Sequence, residues 1–182
     1  MRARPREEIV YGTGKCALGP ILVASGDKGL VTIMIRGEAA QLAKELRERF
    51  PKAILVHDPE GCRPAIERAI KYVAMPVGRF GLPLDLRGTE LQKRVWNEVR
   101  RIPFGVTSTY AKIAAAIGLP KAIRAVASSC SRSWFAFAVP CHRVLHSNAA
   151  VGRGANREGV QYRWADYEAK LRAKLAAKRK AR

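Results

Sequence analysis

The first half of the chain alternates short β-rich runs with amphipathic stretches. Ile21-Leu22-Val23-Ala24 and Leu30-Val31-Thr32-Ile33-Met34-Ile35 are separated by Ser25-Gly26-Asp27-Lys28-Gly29. Two apolar runs around a Gly-containing break predict a hairpin. Ala39, Leu42, Ala43, Leu46 and Phe50 then recur at helical spacing, and Pro51 ends that helix. Ala53-Ile54-Leu55-Val56 reads as a short strand. Ile66, Ala69, Ile70 and Val73 mark a second helix that stops before Met75-Pro76-Val77-Gly78. Residues 1–84 therefore read as a small α/β unit with nothing that looks catalytic.

The second half is mainly helical. Gly78 to Gly88 is a Pro- and Gly-punctuated connector. Thr89 and Gln92 have capping-box spacing and open a helix with Leu91, Val95, Trp96 and Val99 on one face. Ile102-Pro103-Phe104-Gly105 breaks it. Thr109 is the expected N-cap of Tyr110 to Ile117, and Gly118 closes that helix. Pro120 is expected to start a further helix running through Arg124 to about Ser129. Helix, Gly-containing turn, helix is a helix-turn-helix layout. Val160, Trp164, Tyr167, Leu171 and Leu175 recur as the apolar stripe of a C-terminal helix. The organisation expected is residues 1–84, then 85–175, then a basic tail over 176–182.

Charge changes the picture more than composition does. The 182 residues carry 34 basic and 15 acidic side chains, a net charge of +19. Such an excess points to a polyanionic partner, with nucleic acid the first candidate. Six of the last twelve residues are basic (Arg172, Lys174, Lys178, Arg179, Lys180, Arg182). They form either a solvated helix end or a non-specific phosphate contact. No run reaches transmembrane length and the basic N-terminus lacks the apolar stretch of a signal peptide, so a cytoplasmic, nucleoid-associated chain is expected. Cys16, Cys62, Cys130 and Cys141 form no Cys-x-x-Cys pair, and with His57, His142 and His146 no recognisable zinc pattern.

The candidate chemistry lies where the apolar run Trp134 to Val139 ends in Pro140-Cys141-His142-Arg143-Val144. Pro140 fixes its own φ and biases Val139 toward extended backbone, so Cys141 is presented where the buried segment stops. A thiol beside an imidazole and a guanidinium has the ingredients of an activated nucleophile, because nearby positive charge lowers a cysteine pKa. A buried structural cysteine is the plainer alternative.

Pro140-Cys141-His142-Arg143-Val144 resembles the active-site signature of the O6-alkylguanine-DNA alkyltransferases, the methylated-DNA–protein-cysteine methyltransferases. Pro103-Phe104-Gly105, Thr109-Tyr110 and Pro120 to Ala127 resemble that family's DNA-binding segment, and the close likeness covers roughly 85–145. The resemblance implies a ribonuclease-H-like α/β N-terminal domain and a mainly α C-terminal domain with a helix-turn-helix, winged-helix-like core. It implies a monomer acting on double-stranded DNA that contains O6-alkylguanine, and on O4-alkylthymine as well. The Cys141 sulfur would take the alkyl group once, with no metal or cofactor. His142 would draw the thiol proton through a water, and an acid would orient the imidazole. Ungapped spacing gives Glu168 as that acid. Matching Tyr162-Arg163-Trp164 to a family motif instead would put Ala176 there and leave no acid.

By the same resemblance Arg124 fills the gap left by the extruded base, Tyr110 crowds the target phosphate, and Ala125, Ser129 and Arg143 contact DNA. Pro140, Val144, Val151, Gly152 and Ser133 would line the base pocket. Two departures stand out. Ser133 replaces the family's usual asparagine, which puts turn rigidity and thiol activation in question, and Arg153-Gly154-Ala155-Asn156 alters the loop after the active site. A helix-turn-helix sensor that binds alkylated bases without alkyl transfer is the alternative, and a Cys-His hydrolase a weaker one. Retention of Cys141 favours transfer.

Overall fold

The computed structural model describes residues 6–35, 37–146 and 160–180. It divides into two compact units, Met1–Arg87 and Gly88–Arg182, at the end of the Pro/Gly-punctuated connector.

The first unit is a four-stranded sheet of order β3-β2-β1-β4 with two helices. The hairpin forms as expected: β2 (Gly19–Gly26) runs antiparallel to β3 (Gly29–Ile35), and Gly26 pairs with Gly29 across the turn. β4 (Ile54–His57) lies parallel to β1 (Glu8–Cys16), which the hydrophobic pattern did not reveal. Gly12 and Gly14 are the reason. They dilute the strand signal, yet they are what lets α2 (Pro59–Ala74) approach. A Cβ on Gly12 would come within 2.8 Å of Cys62 Cβ, and one on Gly14 within 2.7 Å of an Ile66 methyl. Ile21, Leu22, Val23 and Ala24 are buried in succession, so both faces of β2 are covered. The other helix, α1 (Ala39–Arg49), buries Leu42 and Leu46 and ends before Pro51.

The second unit is helical. α3 (Glu90–Val99) opens with the expected capping box: Gln92 N–H donates to Thr89 Oγ1, and Thr89 N–H to Gln92 Oε1. Its buried face carries Val95, Trp96 and Val99. Trp96 Nε1 donates to the Ser129 carbonyl at 2.8 Å, which ties α3 to α5 (Ile123–Ser131). Truncating a buried tryptophan of this kind costs about 3–5 kcal/mol.

Between them, α4 (Tyr110–Ala116) is capped by Thr109, whose hydroxyl accepts the Lys112 N–H. It ends in a Schellman arrangement: Gly118 N–H bonds Ala115 O, and Leu119 N–H bonds Ala114 O. Gly118 has φ of 72°, a backbone conformation that favours glycine. α5 starts at Ile123, not at Pro120. The Leu119 carbonyl instead accepts the Ala122 N–H at 2.8 Å, so Pro120 and Lys121 form a turn before the helix.

The two-residue strand β5 (Ser108–Thr109) pairs in parallel with β6 (Val144–Leu145). Ser108 faces Val144, so the start of α4 is fastened beside the segment that leaves Cys141. The last helix, α6 (Val160–Lys180), buries Trp164 and Glu168 one turn apart, and Ala176 is exposed.

Candidate active site

Cys141 is held by the backbone of its own turn. Pro140 has φ of −76° and ψ of 65°, and the Cys141 N–H donates to the Val139 carbonyl at 2.7 Å. That is an inverse γ-turn, for which proline supplies the φ in advance. Cys141–Arg143 then makes one 3-10 turn, with Arg143 N–H bonded to Pro140 O at 2.9 Å. Consecutive residues of so tight a turn point in different directions. All three side chains are nonetheless buried: Cys141 faces Cys130 and Ser133, whereas His142 and Arg143 share Glu168.

The sulfur of Cys141 faces Cys130 and Ser133. Both come from the C-terminal end of α5, where Ser133 N–H donates to the Cys130 carbonyl. The hydrogen bond with Cys130 and burial push the Cys141 thiol well above its ordinary range, while the Ser133 hydroxyl pulls the other way. This corrects the expectation that adjacent positive charge lowers the thiol. The neighbouring guanidinium is turned elsewhere, and a second thiol occupies the position that matters. Ser133 Oγ also accepts the Phe135 N–H at 3.4 Å, so one hydroxyl braces the turn and supports the thiolate.

His142 lies between Trp164 and Glu168. Its ring stacks on the Trp164 indole at 5.8 Å between centroids and 27° between planes. Nε2 is 3.0 Å from Glu168 Oε1, but out of line for a well-aligned hydrogen bond. Burial pushes the imidazole below its ordinary value; Glu168 opposes that and Arg143 reinforces it. His142 is therefore neutral at neutral pH and able to accept a proton. Glu168 is held in its charged form: burial alone would raise it, but His142 and Arg143 together bring it below the usual carboxylate range.

Arg143 is the residue whose placement differs most from expectation. It is only 4% exposed. Nε donates to Glu168 Oε2 at 3.1 Å, Nη2 to Glu168 Oε1 at 2.6 Å, and Nη1 to the Ile102 carbonyl at 2.7 Å. A guanidinium buried inside the unit, with three of its N–H groups bonded to Glu168 and Ile102, does not face a phosphate, which corrects the expected DNA contact of Arg143. Ser129 is corrected for the same reason. It is buried, and its hydroxyl donates to the Ala125 carbonyl at 2.7 Å.

The remaining sequence-derived residues divide by exposure. Arg124 is exposed on α5 and Ala125 half-buried beside it. Tyr110 is 7% exposed, against His146 at 4.9 Å between ring centroids. Its phenol is pushed up to about 12, first by burial and then by the neighbouring Cys130 and Cys141. Tyr110 is thus largely buried, with its phenol near the two cysteines. Pro140 and Val144 are buried beside Cys141, and Ser133 is half-buried. Val151 and Gly152 lie outside the described residues. Cys130 is the site residue that the sequence reading missed. Its i, i+4 relation to Val126, also buried, was the available signal.

Among the described residues, no group of three or more His, Cys, Asp or Glu side chains could hold a metal ion.

The second unit thus holds a buried cysteine, histidine and glutamate beside a short helix pair. The family model for the 6-O-methylguanine DNA methyltransferase DNA-binding domain matches residues 90–170. The methylated-DNA–protein-cysteine methyltransferase of Methanosarcina acetivorans is 36% identical over 143 residues, covering 79% of this chain and 87% of the relative. The chain belongs to that family. The bifunctional transcriptional activator/DNA repair enzyme Ada of Escherichia coli is 36% identical over 156 residues. That match covers 86% of this chain but only 42% of Ada, so the chain corresponds to less than half of that relative's length. Among solved structures, Mycobacterium tuberculosis OGT in complex with DNA aligns with a TM-score of 0.66 at 29% identity. It covers 89% of this chain and 98% of that one.

Proposed function

We propose that this protein repairs DNA by moving the alkyl group of O6-alkylguanine, and of O4-alkylthymine, onto the Cys141 sulfur. The observation that carries this reading is a buried Cys141 followed in the same turn by a buried His142, whose imidazole is held neutral 3.0 Å from the charged Glu168 carboxylate. Cys141 gives up its proton to His142, through a water, since the described partners of the sulfur are Cys130 and Ser133. The thiolate attacks the alkyl carbon. The C–O bond breaks as the S–C bond forms, and the guanine oxygen keeps the electron pair and is neutralised by a proton returned from the site. A thioether is not hydrolysed under these conditions, so each molecule reacts once.

The lesion sits inside a stacked duplex and must be extruded to reach a buried sulfur. Arg124, exposed on α5, is the residue proposed to fill the vacated position, because a planar guanidinium both stacks and donates hydrogen bonds. Double-stranded DNA is the partner, approached by a chain of net charge +19, and the active form is a monomer in the cytoplasm, nucleoid-associated. The finer fold reading is a ribonuclease-H-like domain over 1–84, a winged-helix-like domain over 85–175 and a basic tail over 176–182. Three antiparallel strands with a parallel fourth beside β1 support the first of these. The α4–turn–α5 pair with the small β5–β6 ladder supports the second.

The test is stoichiometric. Duplex carrying O6-methylguanine, titrated with the protein, should be repaired up to one lesion per molecule and no further. Tight binding without loss of the lesion would replace this reading with the sensor, and continued turnover would replace it with a different chemistry.

A further inference from the structure

One interaction in the site is used by nothing in the mechanism above. Glu168 presents two oxygens to the active turn, and the arrangement is unequal. Oε2 meets Arg143 Nε at 3.1 Å, whereas Oε1 is shared by Arg143 Nη2 at 2.6 Å and His142 Nε2 at 3.0 Å. The guanidinium holds the nearer oxygen at the shorter distance, and the imidazole is left with an off-line contact. The third donor of the same guanidinium reaches the Ile102 carbonyl at 2.7 Å, in the break that follows α3. One turn further along α6, Arg172 Nη1 donates to the Gly105 carbonyl at 3.1 Å, at the other end of that break.

We propose that Arg143 is a positioning residue: it fixes the Glu168 carboxylate against His142, limits how strongly that carboxylate binds the imidazole, and anchors α6 to the loop at Ile102. This deepens the alkyl-transfer reading and rests on it for its importance to repair, though not for its geometry. The physical reason for an arginine is its rigid fork. Two parallel N–H groups fix both carboxylate oxygens and a further one bonds a carbonyl, which a lysine ammonium cannot do at once. The charged groups acting on His142 are Glu168 from α6 and Arg143 from its own turn, and Trp164 stacks on it without charge. Without the arginine, a buried carboxylate would face the imidazole alone. His142 would then take up a proton and form a buried ion pair, which removes the base that Cys141 needs.

The experiment compares the 182-residue protein with Arg143→Gln and Arg143→Lys. It uses an NMR titration of the His142 imidazole, alkylation of Cys141 by free O6-benzylguanine across pH, and affinity for undamaged duplex. Arg143→Gln should move the His142 titration to higher pH, and slow alkylation about tenfold or more at neutral pH, with recovery as pH rises. Arg143→Lys keeps the charge, so its titration should move less, and it carries the test if the glutamine variant does not fold. Duplex affinity should stay at the wild-type value. An unshifted His142 titration in both variants overturns the proposal. So does a loss of duplex affinity with unchanged alkylation, which would return Arg143 to the DNA surface. A wild-type protein that is never alkylated at Cys141 would refute the transfer reading separately, because the NMR titration does not depend on transfer.

Discussion

The thiol of Cys130 lies beside the thiol of Cys141 and raises it, and both are almost fully buried. A second thiol that close raises Cys141, because two neighbouring sulfurs in a dry pocket cannot both carry charge without repelling each other. The same sulfur receives a hydrogen bond from Ser133 that favours the thiolate. The nucleophile is thus set by two residues from one turn acting in opposite senses.

Substituting those two residues should separate them. Cys130→Ala removes the largest influence raising the thiol, so alkylation of Cys141 by iodoacetamide should extend to lower pH. Ser133→Ala removes the opposing hydrogen bond and should shift the same profile to higher pH. Equal shifts in one direction would contradict this account of the pocket.

Removal of the Glu168 side chain tests the buried network as a structural element. Among the described residues, Glu168→Ala leaves the buried Arg143 guanidinium with the Ile102 carbonyl as its partner. Breaking one half of a buried ion pair costs about 3–5 kcal/mol. Urea unfolding should show a midpoint lowered accordingly. A loss within about 0.5 kcal/mol, typical of an exposed substitution, would mean that Glu168 is not buried as described.

Stability should fall on acidification, in two stages with the same sign. His142 is held below its ordinary 6.5 in the folded protein, so the unfolded chain binds the proton first. Its contribution is complete above that pH and is lost as pH falls through the folded value. Glu168 is likewise held below its ordinary 4.5, so its contribution is complete above that pH and is lost on further acidification. Thermal melts across this range should decline as pH is lowered below about 6.5, the imidazole's unperturbed value. A melting temperature that rises there would have the wrong sign.

Arg124→Ala should slow repair of a duplex lesion far more than reaction with the free alkylated base. The exposed guanidinium on α5 is proposed to act on the duplex and not on the sulfur. Stopped-flow rates on the two substrates measure the difference. Equal slowing of both would assign Arg124 to the thiol chemistry, and unchanged duplex repair would remove it from base extrusion.

How far the sequence spoke depended on whether a signal was local. The capping box at Thr89 and Gln92, the Gly118 stop and the Gly26–Gly29 hairpin are all short-range patterns, and all form. Glu168 was legible through its ungapped spacing from Cys141 under the family resemblance, and it is buried against His142. Strand β1 was not legible, since the purpose of Gly12 and Gly14 emerges only when α2 packs on them. Arg143 was misread because a single 3-10 turn has no periodicity to say which way a side chain points. Its partners, Ile102 and Glu168, come from distant parts of the chain. Ser129 was misread because its hydroxyl satisfies the carbonyl one turn back, a local bond that competes with any external contact. Cys130 was overlooked because its partner is reached by folding and not by spacing.

The most direct measurement of the central claim is peptide mapping by mass spectrometry after one equivalent of duplex containing O6-methylguanine has been added. The account predicts a methyl group on the peptide bearing Cys141, unmodified Cys130, and a restored guanine in the DNA. An unmodified Cys141 with the lesion still present, or a methyl group found on Cys130 instead, would contradict it.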